Sequence, residues 1–299
     1  MDSKLLELLL ADNSTKRNIV WATDDYREYG ELYSPECEIT TDLVTGIFSD
    51  VIRPRFIKVK EKQNYRTRNK AEVFTPLWIC NQQNNLVDEK WFGRPDIFNT
   101  ADGKTWTANK SKIEFSDKSW QDYVNAKRME ITCGEAPYLV SRYDTVTGNM
   151  IADVNERIGL LDRKLRVVNE NTDNEKDWFE WVKKAYQSTY GYEYQGDNLL
   201  IARLNLLFTF TDNMHYKFDR EPTNEELKNI AYIISWNIWQ MDGLNYTSPY
   251  RESEQEEDSQ LAFFGFEEEV CIEKSVVLCL IRDWTSQKTF EFRSLVKKG

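Results

Sequence analysis

The sequence predicts an α/β fold, and three observations carry that expectation. The stretch RMEITCGEAPYLVSRYD contains a short approach, Met129-Glu130-Ile131, a small-residue turn, Cys133-Gly134-Glu135-Ala136-Pro137, and the apolar run Tyr138-Leu139-Val140. That order suits a strand-turn-helix crossing, where glycine permits positive φ and the free N–H groups of a helix start favour a negatively charged group. Farther along, YGYEYQGDNLLIARLNLL reads as a buried strand with Glu193 at its carboxyl end, followed by a helix with apolar residues at helical spacing. An acid at such a strand end can accept ribose hydroxyls. Finally, helix-like and strand-like segments alternate from Glu72 to about Thr247, as an α/β sheet requires.

Each remaining segment follows from its own pattern. MDSKLLELLLADN carries Glu7 among its leucines and has no small-residue cleavage site, so it reads as a short amphipathic helix and the protein as cytoplasmic. No apolar run approaches the roughly 20 residues that span a bilayer. Residues 1–70 mix short β-like runs (NIVWAT, ECEITTDLVTG, VIRPRFIKV) with turn residues and form an N-terminal extension or cap. Residues 71–250 form the main domain. Within it LWICNQQNNLVD is helix-like, and DWFEWVKKAYQS is a helix burying Trp178, Phe179, Trp181, Val182 and Tyr186. EPTNEELKNIAYIISWNIWQ starts with a cap at Thr223 and Glu226 and carries Leu227, Ile230, Ile233, Ile234 and Ile238 on one side. Residues 251–299 begin in an acidic, polar stretch (SPYRESEQEEDSQ) that reads as an exposed loop. They continue in VCIEKSVVLCLIRDWTSQKTFEF as two strands around a polar turn. That C-terminal hairpin is either an ordinary hairpin or an exposed edge where a partner adds a strand.

Composition narrows the function classes. With 39 Lys plus Arg against 50 Asp plus Glu, the net charge is -11, which argues against tight DNA binding by charge alone. The basic stretch Arg53–Arg68, with Phe56 and Tyr65 interleaved, reads either as a solvated face or as a phosphate contact. Five scattered cysteines and a single histidine, His215, give no metal or disulfide framework. Cys133 has no histidine base near it in sequence and reads as a small packing residue.

A further segment, Ala71-Glu72-Val73-Phe74-Thr75-Pro76, precedes the glycine turn. In this order, Phe74-Thr75-Pro76, then Glu130 with Cys133-Gly134, then Glu193, then Asp242 in NIWQMDGL, the chain resembles the N6-adenine DNA methyltransferases of restriction-modification systems. WATDDY, the stretch around VIRPR, EITCGEAPYLVSRYDT, DRKLRVVNENTD and SWNIWQMDGL are similar to the group labelled restriction endonuclease subunit M. The resemblance implies a Rossmann-like S-adenosylmethionine-dependent methyltransferase sheet, with the N-terminal cap and the C-terminal β-hairpin around it. It implies that S-adenosylmethionine is the cofactor, with Phe74, Thr75 and Pro76 at its methionine end. Glu130, Cys133, Gly134 and Pro137 would form the turn, Glu193 would hold the ribose, and Asp242 would meet the adenine amine. Where that family has a second turn glycine, a serine and a proline, this chain has Ala136, Glu135 and Ile131. Alanine is expected to narrow the turn, and Glu135 to bring negative charge near the cofactor. Trp236, Trp239 and Tyr250 are candidate flat walls for an adenine ring, although aromatics here are first expected in the core.

The family's catalytic Asn-Pro-Pro-Tyr-type loop, which stacks a flipped base and accepts its amino group, has no counterpart. None of the seven prolines adjoins another. Two expectations from different classes follow. Either the chain is the cofactor-binding subunit of an adenine-N6 DNA methyltransferase, inactive alone, with a partner chain supplying the catalytic loop and DNA reached through the complex, or it is a noncatalytic, degenerate relative serving specificity or assembly.

Overall fold

The computed structural model describes residues 2–58, 75–253 and 275–296. Phe74 and most of the basic stretch and acidic loop therefore lie outside the described residues. The centre of the fold is a parallel sheet of three strands, β5 (Arg128–Glu130), β6 (Thr189–Glu193) and β7 (Ile238–Gln240), in that order. Between β5 and β6 the chain passes through α4 (Leu160–Asn171) and α5 (Glu175–Gln187). Between β6 and β7 it passes through α6 (Gly196–Phe218) and α7 (Asn224–Asn237). The fold is thus mixed α/β, with parallel strands joined by helical crossovers.

Strand β6 is buried throughout, as a central parallel strand covered on both faces should be. Tyr190 and Tyr192 lie on one face and pack with Trp239, Met241, Cys279, Ile281 and Phe292. On the opposite face Gly191 leaves room for Cys133 and Ile238. The main core joins the helices to the N-terminal segment through Leu9, Ile19, Trp21, Leu161, Trp178, Leu206 and Ile234.

The N-terminal helix α1 (Ser3–Leu10) buries Leu5, Leu6, Leu9 and Leu10 and is capped by Asp2. Among the described residues, the N-terminal segment that follows forms only the two-residue hairpin β1–β2 (Ala11–Asp12, Arg17–Asn18) and a Val20–Glu38 bridge. TDLVTG and VIRPRFIKV instead supply short 3-10 turns at Thr41–Leu43, Gly46–Phe48 and Arg55–Ile57. Prolines and turn residues break these stretches before a strand can extend. After Pro76 comes α2 (Leu77–Phe92), then the hairpin β3–β4 (Asn99–Asp102, Thr105–Ala108) and α3 (Trp120–Asn125).

Two expectations about the C-terminal half are corrected. The Thr223–Glu226 capping box starts α7 as expected, but the helix stops at Asn237. The Asn237 carboxamide donates to Tyr186 O (2.9 Å) and Thr189 O (3.0 Å), so the chain turns directly into β7 beside β6, and Ile238 is a strand residue. The stretch from Thr247 to Ser253 is strand β8, paired antiparallel with β9 (Ser275–Leu278) across a register shift. The backbone supplied by β9 overrides the polar character that suggested a loop. The C-terminal hairpin is β10 (Leu280–Asp283) with β11 (Lys288–Glu291), and β11 is exposed along its length. Among the described residues no helix is long and apolar enough to cross a membrane.

Candidate functional site

At the carboxyl ends of β5 and β6 lies a cavity of about 840 Å³. Its walls include Thr75, Glu130, Cys133, Gly134, Pro137 and Glu193, brought together from three separate segments. Pro76 is not in the wall; its carbonyl accepts the N–H groups of Ile79 (2.9 Å) and Cys80 (3.2 Å) at the start of α2. Asp242 is not in the wall either. Its Oδ1 accepts the N–H groups of Leu244 (2.8 Å) and Asn245 (3.3 Å), and its Oδ2 accepts the Asn245 side chain (2.8 Å), closing the turn after β7. Burial pushes that carboxyl up, but the Asn245 and Leu244 hydrogen bonds outweigh it and hold the group below its ordinary value.

The turn after β5 is built by its two acids. Glu130 Oε1 and Oε2 accept the N–H groups of Tyr138 (3.3 Å) and Leu139 (3.2 Å), fixing the chain where it leaves the turn. Glu193 Oε2 accepts the N–H of Gly134 at 2.8 Å, and its Oε1 accepts the N–H of Gln195 at 3.1 Å. Burial raises both carboxyls: Glu130 well above its ordinary value, and Glu193 upward despite the opposing N–H groups of Gln195, Gly134 and Tyr194. Cys133 donates its N–H to Tyr192 O (2.8 Å) and is 1% exposed. Burial, with Glu130 and Glu193 nearby, holds its thiol protonated, as suits a packing residue.

The two departures at the turn act away from the cavity. Ala136 has φ +65, the left-handed conformation glycine adopts readily, and its methyl lies in the core. Glu135 is 1% exposed and turns from the cavity: its Oε1 accepts the N–H of Arg55 (2.6 Å) and its Oε2 the hydroxyl of Tyr143 (2.7 Å). The expectations that Ala136 narrows the cradle and that Glu135 charges it are therefore corrected. Within the basic stretch, Lys58 pairs with buried Asp197 at 3.0 Å, and Arg53 pairs with Asp50 at the surface.

Of the candidate ring walls, Trp236 and Trp239 are buried in the fold and Tyr250 is exposed. Tyr194 lines the cavity, and burial, with Tyr250 nearby, pushes its hydroxyl up to about 12. Sequence reasoning also missed Gln83 and Asn84 of α2 and Asn198 of α6. The signal in α2 was a polar stripe: Asn81, Asn84 and Asp88, at helical spacing, are each 1% exposed. Asn84 donates to Tyr138 O (3.0 Å) and Ile158 O (2.9 Å), tying that wall to the turn. No family model matches the chain, nor does any curated protein or solved structure.

Proposed function

We propose that the chain is the S-adenosylmethionine-binding subunit of an adenine-N6 DNA methyltransferase of a restriction-modification system, built on a Rossmann-like sheet. One observation carries this reading: Thr75, the turn residues Glu130, Cys133, Gly134 and Pro137, and Glu193, from three separate segments of the sequence, meet in one cavity at the carboxyl ends of adjacent parallel strands. Open α/β sheets bind ligands at that end, and the volume falls in the range of small-molecule sites. In this reading Glu130 and Glu193 shape the turn, Glu193 also faces the ribose, and Thr75 borders the methionine end.

The catalytic loop comes from a partner chain, and DNA is reached through the complex. The place for that partner is β5, which ends the sheet and pairs only with β6 among the described residues. Met129 and Ile131, 40% and 65% exposed, flank Glu130 along this edge and line the cavity. A partner strand carrying the loop would extend the sheet there and set the loop beside the cofactor. One observation favours a second reading, a noncatalytic assembly protein: both Glu193 oxygens are already engaged by backbone N–H groups. Calorimetric titration with S-adenosylmethionine separates the two. Binding by the wild type that is lost in Glu193→Gln supports the cofactor role; no binding, alone or with the partner, overturns it.

A further inference from the structure

Within the basic stretch, the short segment Arg55–Lys58 bridges two separate elements. Arg55 donates its N–H to Glu135 Oε1 (2.6 Å) in the turn after β5. Phe56 packs edge-on against Tyr143 at 5.1 Å, and the Tyr143 hydroxyl donates to Glu135 Oε2 (2.7 Å). At the other end of the segment, Lys58 Nζ reaches Asp197 Oδ2 at 3.0 Å in the first turn of α6, where the Tyr26 hydroxyl also donates (2.7 Å). The Lys58 side chain is 9% exposed and that of Asp197 0%, so solvent and salt screen this pair far less than a surface pair. Removing one partner of such a pair is costly.

Both anchor points adjoin walls of the cavity. Glu135 follows Gly134, and Asp197 lies between Gln195 and Asn198; Gly134, Gln195 and Asn198 line the cavity, whereas Glu135 and Asp197 do not. Glu193, which does line it, joins the same two walls by accepting the N–H groups of Gly134 and Gln195. The Arg55–Lys58 segment thus repeats the Glu193 bridge one residue along in the turn and two residues along at α6. A ligand site needs its walls held to within about 0.5 Å by side chains behind those that touch the ligand. We propose that Lys58 is a positioning residue: its ion pair with Asp197, together with the Arg55–Glu135 hydrogen bond, holds the α6 wall against the turn wall and so sets the affinity of the cavity for its ligand. The choice of S-adenosylmethionine as that ligand rests on the reading above; the coupling of the two walls does not.

The test uses the full chain and two variants. Lys58→Met keeps the aliphatic stem and removes the charge, and Lys58→Arg keeps the charge. One readout is the calorimetric Kd for S-adenosylmethionine, at a temperature where melts show each variant folded. The other is hydrogen exchange, without ligand, of the peptides carrying Gly134 and Gln195. Lys58→Met should raise Kd about tenfold and speed exchange at both Gly134 and Gln195, with exchange in α4 unchanged. Lys58→Arg should fall between Lys58→Met and the wild type in both readouts; impairment equal to that of Lys58→Met overturns the role given to the charge. Binding and wall coupling are reciprocal, so saturating ligand should slow exchange of the Arg55–Lys58 peptide in the wild type, a result that needs no variant to fold. An unchanged Kd in Lys58→Met, or no such protection in a wild type that binds, overturns the proposal. If the wild type does not bind S-adenosylmethionine, the cofactor reading falls and the ligand-free exchange decides. Faster exchange at both Gly134 and Gln195 in Lys58→Met then supports the coupling of the walls; faster exchange at Gln195 alone, or at neither, overturns it.

Discussion

The carboxylate of Glu193 holds the N–H of Gly134 at 2.8 Å, joining two turns that are 59 residues apart in the chain. One side chain thus fixes the cradle after β5 to the end of β6. Glu193 is buried, and burial raises its carboxyl above the ordinary value of 4.5. A carboxyl with a raised value in the folded state contributes stability that is full below the unfolded value, and that contribution is lost as pH rises through the folded value. Glu130, raised by burial in the same way, follows the same sign. Glu193→Gln should therefore gain stability relative to the wild type as pH is raised from about 5 to about 8. Denaturant unfolding at several pH values measures the difference, and a variant stability minus wild-type stability that stays constant or falls as pH rises would contradict the assignment.

The conformation of Ala136 gives a second expectation. Its φ of +65 costs a residue with a Cβ about 1–2 kcal/mol relative to glycine. Replacement by glycine relieves that cost but exchanges it for greater freedom of the unfolded chain and a lost buried methyl. Ala136→Gly should change stability by less than about 1 kcal/mol. Ala136→Val, which places a β-branched side chain in the left-handed region, should cost more than about 2 kcal/mol. Thermal melts of the two variants decide it; equal tolerance of both would sink the account.

Gly191 and Gly196 form a matched pair for testing how closely the site is packed. A Cβ at Gly191 would meet Cys133 Sγ, Glu130 O and Ile238 Cδ1 at 3.4 Å, which is ordinary contact. A Cβ at Gly196 would collide with the carbonyl oxygen of Val20, where the N-terminal segment crosses the start of α6 and accepts the Gly196 N–H through Trp21 O at 2.9 Å. Gly196→Ala should cost about 1–3 kcal/mol or more and weaken ligand binding. Gly191→Ala should be the milder of the two. Chemical denaturation gives the ranking, and the reverse order would refute it.

What could be read in the sequence follows the strength of local patterns. Glu193, Gly134 and the leucines of α6 were legible because a strand end, a turn and a helix stripe each leave a local trace. Strand β7 was not, because Ile238, Trp239 and Gln240 continue the apolar spacing of α7; the break comes from Asn237 binding Tyr186 O and Thr189 O. The outward turn of Glu135 depends on Arg55 and Tyr143, and no sequence pattern links those residues to it. The α2 wall was obscured because its buried face is amide-rich and has no hydrophobic periodicity to detect.

That polar face supports another test. Arg163 reaches Asp88 at 2.6 Å, with side chains 0% and 2% exposed, and also holds Asn81 and Asn85, while the Tyr123 hydroxyl donates to Asp88 at 2.9 Å. Asp88→Ala leaves the Arg163 charge buried without its carboxylate and should cost about 3–5 kcal/mol. Replacing both partners by apolar residues, Asp88→Leu with Arg163→Met, should cost less than Asp88→Ala alone. Urea midpoints for the single and double variants measure this, and an additive double loss would contradict it.

The edge of β5, which pairs only with β6 among the described residues, makes the partner hypothesis testable even while the partner is unidentified. Ile131 is 65% exposed, so Ile131→Lys should leave the isolated chain within about 0.5 kcal/mol of wild-type stability. A charge there would oppose burial of the strand edge under an incoming strand. Tagged wild-type chain recovered from its native cell should bring with it a polypeptide containing an Asn-Pro-Pro-Tyr-type sequence, and Ile131→Lys should recover much less of it. If such a polypeptide is recovered equally by both, it docks elsewhere, and the exposed strand β11 becomes the next surface to alter. If none is recovered by the wild type, the split-enzyme reading fails and the assembly-protein reading takes its place.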